Sequence, residues 1–130
     1  MDNANTLKES QLIEKARRYL PGGSLGNVAL DSQHDMIIQR GSGSRIWDIS
    51  GNSYIDYLMG SGPMILGHSH PSVVTAVHEA ISLGSTFFAN NQPSILLAEE
   101  LVKALPCADK VRFTTSGTDA TFQAMRISRA

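Results

Sequence analysis

The sequence predicts an α/β fold. Of its 130 residues, 42% are hydrophobic and 18% are charged, as in a globular protein. Amphipathic helical patterns are interspersed with short segments of strand length. Near the C-terminus, an apolar strand pattern at residues 111–115 leads into Ser116-Gly117-Thr118 and then directly into a helical pattern. This strand-turn-helix order is typical of α/β proteins, in which helices cover a sheet.

Composition excludes several classes of partner. The 11 basic and 12 acidic residues give a net charge of −1 and form no basic cluster, so we expect no nucleic acid partner. No apolar run approaches the roughly 20 residues of a membrane span, and the first ten residues are too polar for a secretory signal. The single cysteine, Cys107, has no internal disulfide partner. We therefore expect a cytoplasmic protein.

The first predicted element is an amphipathic helix over residues 7–20. Thr6 and Glu9 have the spacing of a capping box at its start, and Pro21-Gly22-Gly23 ends it. Its apolar stripe consists of Leu12, Ile13, Ala16 and Leu20, and its solvated face carries Lys8, Lys15, Arg17 and Arg18.

Three short strands are predicted next. They cover Met36–Arg40, Arg45–Asp48 and Ser53–Tyr57. Gly41-Ser42-Gly43 and Ser50-Gly51-Asn52 separate them, which indicates an antiparallel meander. Gly41-Ser42-Gly43 lacks the third glycine of a dinucleotide-binding fingerprint, and a strand follows it where the fingerprint requires a helix. We therefore expect no dinucleotide site there. Trp47, Tyr54 and Tyr57 are expected to pack on a half-buried sheet.

Two more helices are predicted after a glycine-rich loop at Gly60–His70. Pro71 suits the first turn of one helix, whose apolar stripe runs from Val73 to Ile81 and which Gly84 closes. After an irregular segment at Thr86–Pro93, Ser94 is expected to cap a helix that reaches Leu105 before Pro106.

The histidines and lysines carry little sign of chemistry. His68 and His70 could supply two metal ligands, but His34 and His78 do not complete a tetrahedral set, so we expect no metal and assign these loop histidines to backbone hydrogen bonds. The lysines at positions 8, 15, 103 and 110 lie on helix faces or surface loops, where none is a desolvated nucleophile. No catalytic residue is assigned to this chain.

The turn at Ser116-Gly117-Thr118 is the candidate binding site. Unpaired backbone N–H groups and the helix dipole make a helix start favourable for a phosphate, and the Ser116 and Thr118 hydroxyls add donors. An ordinary capped helix is the alternative reading of the same residues. The helical pattern then continues to Ala130 without a cap, so we expect these residues to be the front part of a larger protein.

Four segments together resemble the class III pyridoxal-phosphate aminotransferases, in particular the glutamate-1-semialdehyde aminomutase-like branch. They occur in the family's order and spacing and span nearly the whole chain from residue 20. The segments are Leu20-Pro21-Gly22-Gly23, Trp47-Asp48-Ile49-Ser50-Gly51-Asn52-Ser53-Tyr54-Ile55-Asp56-Tyr57, Gly62-Pro63-Met64-Ile65-Leu66-Gly67-His68-Ser69-His70-Pro71 and Val111-Arg112-Phe113-Thr114-Thr115-Ser116-Gly117-Thr118-Asp119-Ala120.

The resemblance implies the N-terminal part of a fold-type I transferase that depends on pyridoxal 5'-phosphate (PLP). Ser116, Gly117 and Thr118 would bind the cofactor phosphate. Residues 1–58 would form the N-terminal helix and small-domain strands, residues 59–105 the loops and helices that border the active site, and residues 106–130 the start of the large cofactor domain. The family's active site lies at a homodimer interface, so the loops at 60–70 and 86–93 would border it.

The resemblance also bears on activity. In the family, the lysine that forms a Schiff base with PLP and the aspartate that protonates its ring lie further beyond the phosphate turn than this chain reaches, so the 130 residues alone should be inactive. The serine and arginine that hold the substrate carboxylate in the aminomutases align with Gly26 and Ala29 here, which favours an aminotransferase that uses an amino donor and an oxo acceptor. The aminomutase and a non-catalytic phosphate-binding module are the alternatives.

Overall fold

The computed structural model describes residues 3–26 and 35–130, and the chain divides into two compact units, Met1–Leu83 and Gly84–Ala130. The first contains helix α1 (Asn3–Tyr19), strands β1 (Ile38–Ser42), β2 (Arg45–Asp48) and β3 (Ser53–Ile55), and helix α2 (Pro71–Ser82). Single 3₁₀ turns lie at Pro21–Gly23 and Met59–Ser61. The second unit contains helices α3 (Gln92–Ala104) and α4 (Gly117–Ile127).

Helix α1 begins before the predicted capping box. Thr6 lies inside the helix, where its carbonyl oxygen accepts a hydrogen bond from Ser10 Oγ at 3.0 Å. The Glu9 carboxylate accepts instead from the backbone N–H of Ile37, at 2.9 Å, and from Ser50 Oγ. The predicted cap is therefore wrong, because Glu9 binds the sheet region rather than its own helix start. The predicted stripe at residues 12, 13, 16 and 20 is half-buried and the basic face is exposed, as expected.

The three strands form an antiparallel meander in the order β1-β2-β3, as predicted. The bounds of β2 agree with the prediction, but β1 lies two residues later and includes Gly41 and Ser42, which were assigned to the turn. Ser42 pairs with Arg45, so Gly43 and Ser44 form a tight two-residue connection, with Gly43 at a φ of 55°. The register shifts between Ile38 and Arg40.

Asp48, at the end of β2, is 2% exposed. Its carboxylate accepts hydrogen bonds from the backbone N–H and side-chain amide of Asn52 and from Tyr54 Oη, each at 2.8 Å. Burial acts to raise the pKa of Asp48, but these hydrogen bonds outweigh burial and leave the pKa below its ordinary value. The buried carboxylate therefore joins β2, the following turn and β3 through bonds that a neutral apolar residue would lack.

The ends of α2 and α3 follow local sequence signals. Pro71 opens α2, and Gly84, with a φ of 110°, follows its end. For α3, the cap is Asn91 rather than the predicted Ser94: Asn91 Oδ1 accepts from Ser94 N–H at 3.1 Å. Both residue types suit a cap, and the helix starts one turn earlier because Gln92 and Pro93 fit its first positions.

The predicted strand at residues 111–115 does not form in the described part of the chain. A strand requires a pairing partner, and none is hydrogen-bonded to this segment here. The helix that follows ends at Ile127 rather than continuing to Ala130, because Ser128 and Arg129 form a closing turn.

Among the described residues, no hydrophobic side chain is buried. Large apolar side chains remain accessible on α2, α3 and α4, for example Val77 at 55%, Leu97 at 52% and Phe122 at 51%. Trp47 and Tyr54 are half-buried as expected, but Tyr57 is 89% exposed beyond the end of β3, so its predicted packing role is wrong. None of the described helices combines the length and hydrophobicity that a bilayer span requires.

Candidate phosphate site at the start of helix α4

Ser116 is the N-cap of α4. Its backbone is extended, with φ −157° and ψ 163°, and its Oγ accepts a hydrogen bond from Asp119 N–H at 3.1 Å. Its carbonyl oxygen accepts the first intrahelical bond, from Ala120 N–H, at 2.9 Å. The interpretation of these residues as an ordinary N-cap of a helix is therefore confirmed. Because Ser116 caps through an oxygen lone pair, its hydroxyl proton stays available to a ligand.

The next two residues present the unpaired donors of the helix start. Within the described residues, the backbone N–H groups of Gly117 and Thr118 have no hydrogen-bond acceptor, and neither does the Thr118 hydroxyl. All three residues, Ser116, Gly117 and Thr118, are exposed. The structure thus brings the predicted site residues together as two N–H donors and two hydroxyls at the positive end of an 11-residue helix.

Gly117 leaves room beside these donors. A Cβ atom built on Gly117 would meet no heavy atom within 4 Å. Its φ also lies outside the left-handed region, so helix geometry does not require glycine here. The absence of a side chain instead keeps the first N–H of the helix open to a ligand, which is the approach that a phosphate needs.

Two nearby threonines, Thr114 and Thr121, are not part of this donor set. Thr114 Oγ1 donates to the Ser116 carbonyl oxygen at 3.1 Å, which braces the chain entering the cap. Thr121 Oγ1 donates back to the carbonyl oxygens of Gly117 and Thr118 at 3.2 and 2.9 Å. The half-buried Asp119 places a carboxylate in the first turn. The donor chemistry fits one phosphate group bound at residues 116–118.

A second polar cluster lies in the glycine-rich loop, where His68 Nε2 is 2.7 Å from Asp56 Oδ2. The loop histidines were expected to hydrogen-bond with backbone groups, and this prediction is wrong for both rings. The His68 ring pairs with the Asp56 carboxylate, and the buried Nδ1 of His70 has no hydrogen-bond partner. The described residues contain no group of three or more potential ligands that could hold a metal ion; His34 lies outside them. Sequence reasoning missed the Asp56 pair because no local pattern links residues 12 apart.

Residues 28–130 match the model of the family Aminotransferase class-III. This match covers most of the chain, and the chain belongs to that family. The resemblance inferred from the four sequence segments is confirmed.

The similar curated proteins include two glutamate-1-semialdehyde 2,1-aminomutases. The one from Methanothermobacter thermautotrophicus is 44% identical over 124 residues, which are 95% of this chain and 30% of that protein. The one from Syntrophomonas wolfei is 44% identical over 128 residues, or 96% of this chain and 30% of that protein. The chain thus spans about 30% of the length of the curated relatives it matches.

Solved structures agree on the fold. An omega-transaminase from Sphaerobacter thermophilus aligns over 93% of this chain and 28% of that chain, with a TM-score of 0.85 and 33% identity. A transaminase with PLP bound aligns over 95% of this chain and 29% of that chain, with a TM-score of 0.87 and 33% identity. The predicted α/β fold class, that of the fold-type I PLP-dependent transferases, is confirmed.

Proposed function

We propose that the protein containing this chain is a PLP-dependent aminotransferase that moves an amino group between an amino acid or amine and an oxo acid or aldehyde. The observation that carries the proposal is the open set of donors at the start of α4 in a chain of the class III family. PLP, when bound, supplies the electron-withdrawing ring that makes bonds at the amino-bearing carbon labile.

The proposed task of Ser116, Gly117 and Thr118 is to bind and orient the cofactor by its phosphate. The two backbone N–H groups and two hydroxyls can each donate to a phosphate oxygen, and each bond to a charged oxygen contributes about 1.5 to 3 kcal/mol. The helix dipole adds a favourable field for the dianion. Fixing the phosphate holds one end of the cofactor, so that the ring is positioned by groups elsewhere in the protein.

The test compares cofactor affinity in protein expressed from the complete reading frame. Thr118→Val and Ser116→Ala each remove one proposed donor, and we expect each to weaken PLP binding about tenfold. Equilibrium dialysis of PLP measures the dissociation constant. Thr121→Val is the matched control, because it makes the same chemical change on the same helix at a hydroxyl that bonds to the helix itself.

Equal PLP affinity in the Thr118→Val variant, the Ser116→Ala variant and the unmodified protein would contradict the assignment. A loss of similar size in Thr121→Val would indicate that the helix start had simply been destabilised. The proposal requires the loss of PLP affinity to follow the hydroxyls of Ser116 and Thr118, whose protons have no acceptor among the described residues.

Glutamate-1-semialdehyde aminomutase activity is the second candidate within the family. The curated relatives described above favour it, at 44% identity. Against it, the family resemblance aligns Gly26 and Ala29 with the serine and arginine that hold the substrate carboxylate in the aminomutases. A small neutral residue cannot replace a guanidinium that holds a carboxylate. Of the two, Ala29 lies outside the described residues. Isomerisation of glutamate-1-semialdehyde without any added amino acceptor would decide for the aminomutase.

A non-catalytic phosphate-binding module is the candidate from another class. It would require the 130 residues to be stable alone, yet no hydrophobic side chain of the described residues is buried. We expect the isolated chain to unfold without a cooperative transition and to bind a hydrophobic dye. A sharp cooperative transition of a monomer would instead support the module.

The remaining features of the proposed enzyme follow from the family resemblance. We propose that it is a cytoplasmic homodimer. Its domains would divide after residues 58 and 105, as given above. The lysine that forms the Schiff base with PLP would lie outside this chain. The isolated chain should therefore be inactive. Borohydride reduction in the presence of PLP should label no single lysine of the isolated chain, and stoichiometric labelling of one lysine would contradict this expectation.

A further inference from the structure

The loop between β3 and α2 is closed at its neck by two side chains. His68 Nε2 lies 2.7 Å from Asp56 Oδ2. The other carboxylate oxygen, Asp56 Oδ1, accepts the backbone N–H groups of Leu58 and Met59 at 2.9 and 3.0 Å. We call the segment 57–67 the neck loop. One oxygen of the Asp56 carboxylate thus binds the start of the neck loop, and the other binds His68, the residue directly after its end.

The far end of the neck loop is fixed to the β1-β2 connection. His68 and Gly43 exchange backbone hydrogen bonds in both directions, at 2.8 and 2.9 Å. The fit is tight on both sides, because a Cβ on Gly41 would lie 2.6 Å from His68 Cγ and one on Gly67 would lie 2.9 Å from the Gly43 carbonyl oxygen. The imidazole is therefore held at a defined place relative to Asp56.

The backbone inside the neck loop is unusual. Met59 and Ser61 have left-handed φ values of 47° and 67°, although neither is glycine. Such residues are strained, and they persist where surrounding contacts over-determine the conformation. Gly60 and Gly62 adjoin them, also with positive φ. A loop with this backbone needs an external constraint to keep one conformation.

The neck loop also forms one side of a cavity of about 420 Å³ in the first unit. Residues 63–67 line that side, and Val73, Val74 and Val77 of α2 line the other. Any change in the loop conformation changes the shape of this mainly apolar cavity.

We propose that Asp56 and His68 are a pair of positioning residues, a clamp that holds the strained neck loop closed and so fixes one wall of the adjoining cavity. The clamp is argued from contacts within the first unit alone, so it does not rest on the function proposed for the start of α4. It assigns a role to two side chains that neither the phosphate site nor the strand pairing accounts for.

The protonation state indicates which partner donates. The hydrogen bond from His68, followed by the one from Met59 N–H, lowers the pKa of Asp56 below its ordinary value. Asp56 is thus a carboxylate at neutral pH and accepts only, so His68 Nε2 carries the donated proton. A side chain at position 68 that places an N–H donor as far from its Cα atom as His68 Nε2 should therefore preserve the clamp.

The test uses hydrogen exchange in protein expressed from the complete reading frame. The reporters are the backbone amides of Met64 and Gly67. They donate within the loop, to the carbonyl oxygens of Met59 and Met64 at 3.2 and 2.9 Å, and not to either clamp side chain. His68→Ala removes the donor. His68→Gln places an amide N–H where His68 has Nε2, whereas the shorter His68→Asn does not.

We expect exchange at both reporter amides to accelerate about tenfold or more in His68→Ala and His68→Asn, and to stay within about threefold of the original rate in His68→Gln. Asp35→Asn is the matched control, because it breaks another short carboxylate pair of the same unit, Arg17–Asp35 at 2.6 Å, away from the neck loop. The control should leave both reporters unchanged.

Equal exchange rates in the Gln and Asn variants would overturn the proposal, and so would unchanged rates in His68→Ala. If His68→Ala is not recovered folded, the Gln and Asn variants decide alone. The exchange measurement needs no cofactor and no turnover. Its result is therefore separate from the PLP binding measurement that tests the phosphate site at residues 116–118.

Discussion

The meander region, which here means α1 together with residues 35–70, and the α3-α4 region, residues 91–130, are stabilised in different ways. In the meander region, side chains far apart in sequence bind one another: Glu9 reaches Ser50, and Asp56 reaches His68. In the α3-α4 region, every side-chain hydrogen bond found among the described residues spans four positions or fewer. The first region is specified by tertiary polar contacts, and the second by local helix chemistry with exposed apolar faces.

This difference also separates what was predictable from what was not. Pro71 and Gly84 mark the ends of α2 because helix termini depend on local backbone preferences, and the open turn at Ser116 follows from the same rules. The helix start at Thr6 was mispredicted because Glu9 has a distant partner. The strand at residues 111–115 was mispredicted because strand pairing is a tertiary property.

The largest expected effect is in the meander region, at Asp48. Asp48→Ala should lower the free energy of unfolding by roughly 3 kcal/mol, because it removes the buried carboxylate that accepts hydrogen bonds from the Asn52 amide and the Tyr54 hydroxyl. Urea denaturation of protein expressed from the complete reading frame measures the change. Asp109→Ala, at an exposed aspartate of the other region, should change stability little. Equal losses in the two variants would contradict the contrast between the regions.

A second comparison uses two glycines. Gly41→Ala should destabilise by about 2 kcal/mol, because the new methyl group would overlap the His68 ring. Gly117→Ala in the cofactor-free protein should be neutral or stabilising by up to about 1 kcal/mol, because it adds no contact and restricts the unfolded chain. Thermal unfolding of protein expressed from the complete reading frame measures both changes. A Gly41→Ala variant as stable as the unmodified protein would show that the packing of β1 against His68 is loose.

A smaller effect is expected from the cap of α3. Asn91→Ala removes the acceptor for Ser94 N–H and should cost about 1 kcal/mol, confined to the α3-α4 region. Hydrogen exchange should accelerate in the first turn of α3 and remain unchanged in β2. Acceleration in both places would mean that the two units unfold together.

The smallest effect is expected on the surface of α3. Lys103 lies 2.8 Å from Glu99 and 3.0 Å from Glu100, and the hydrogen bond from Lys103 lowers the pKa of Glu99. Because these side chains are exposed, Lys103→Met should leave the urea midpoint unchanged within error. A clear loss that disappears in high salt would show that local ion pairs matter more than this account assigns to them.

A crystal structure of the complete protein with PLP tests most directly whether the start of α4 binds the cofactor phosphate. We expect phosphate oxygens within about 3.2 Å of the backbone nitrogens of Gly117 and Thr118 and of the hydroxyls of Ser116 and Thr118. A phosphate bound elsewhere, with residues 116–118 facing solvent as an ordinary helix cap, would contradict this expectation.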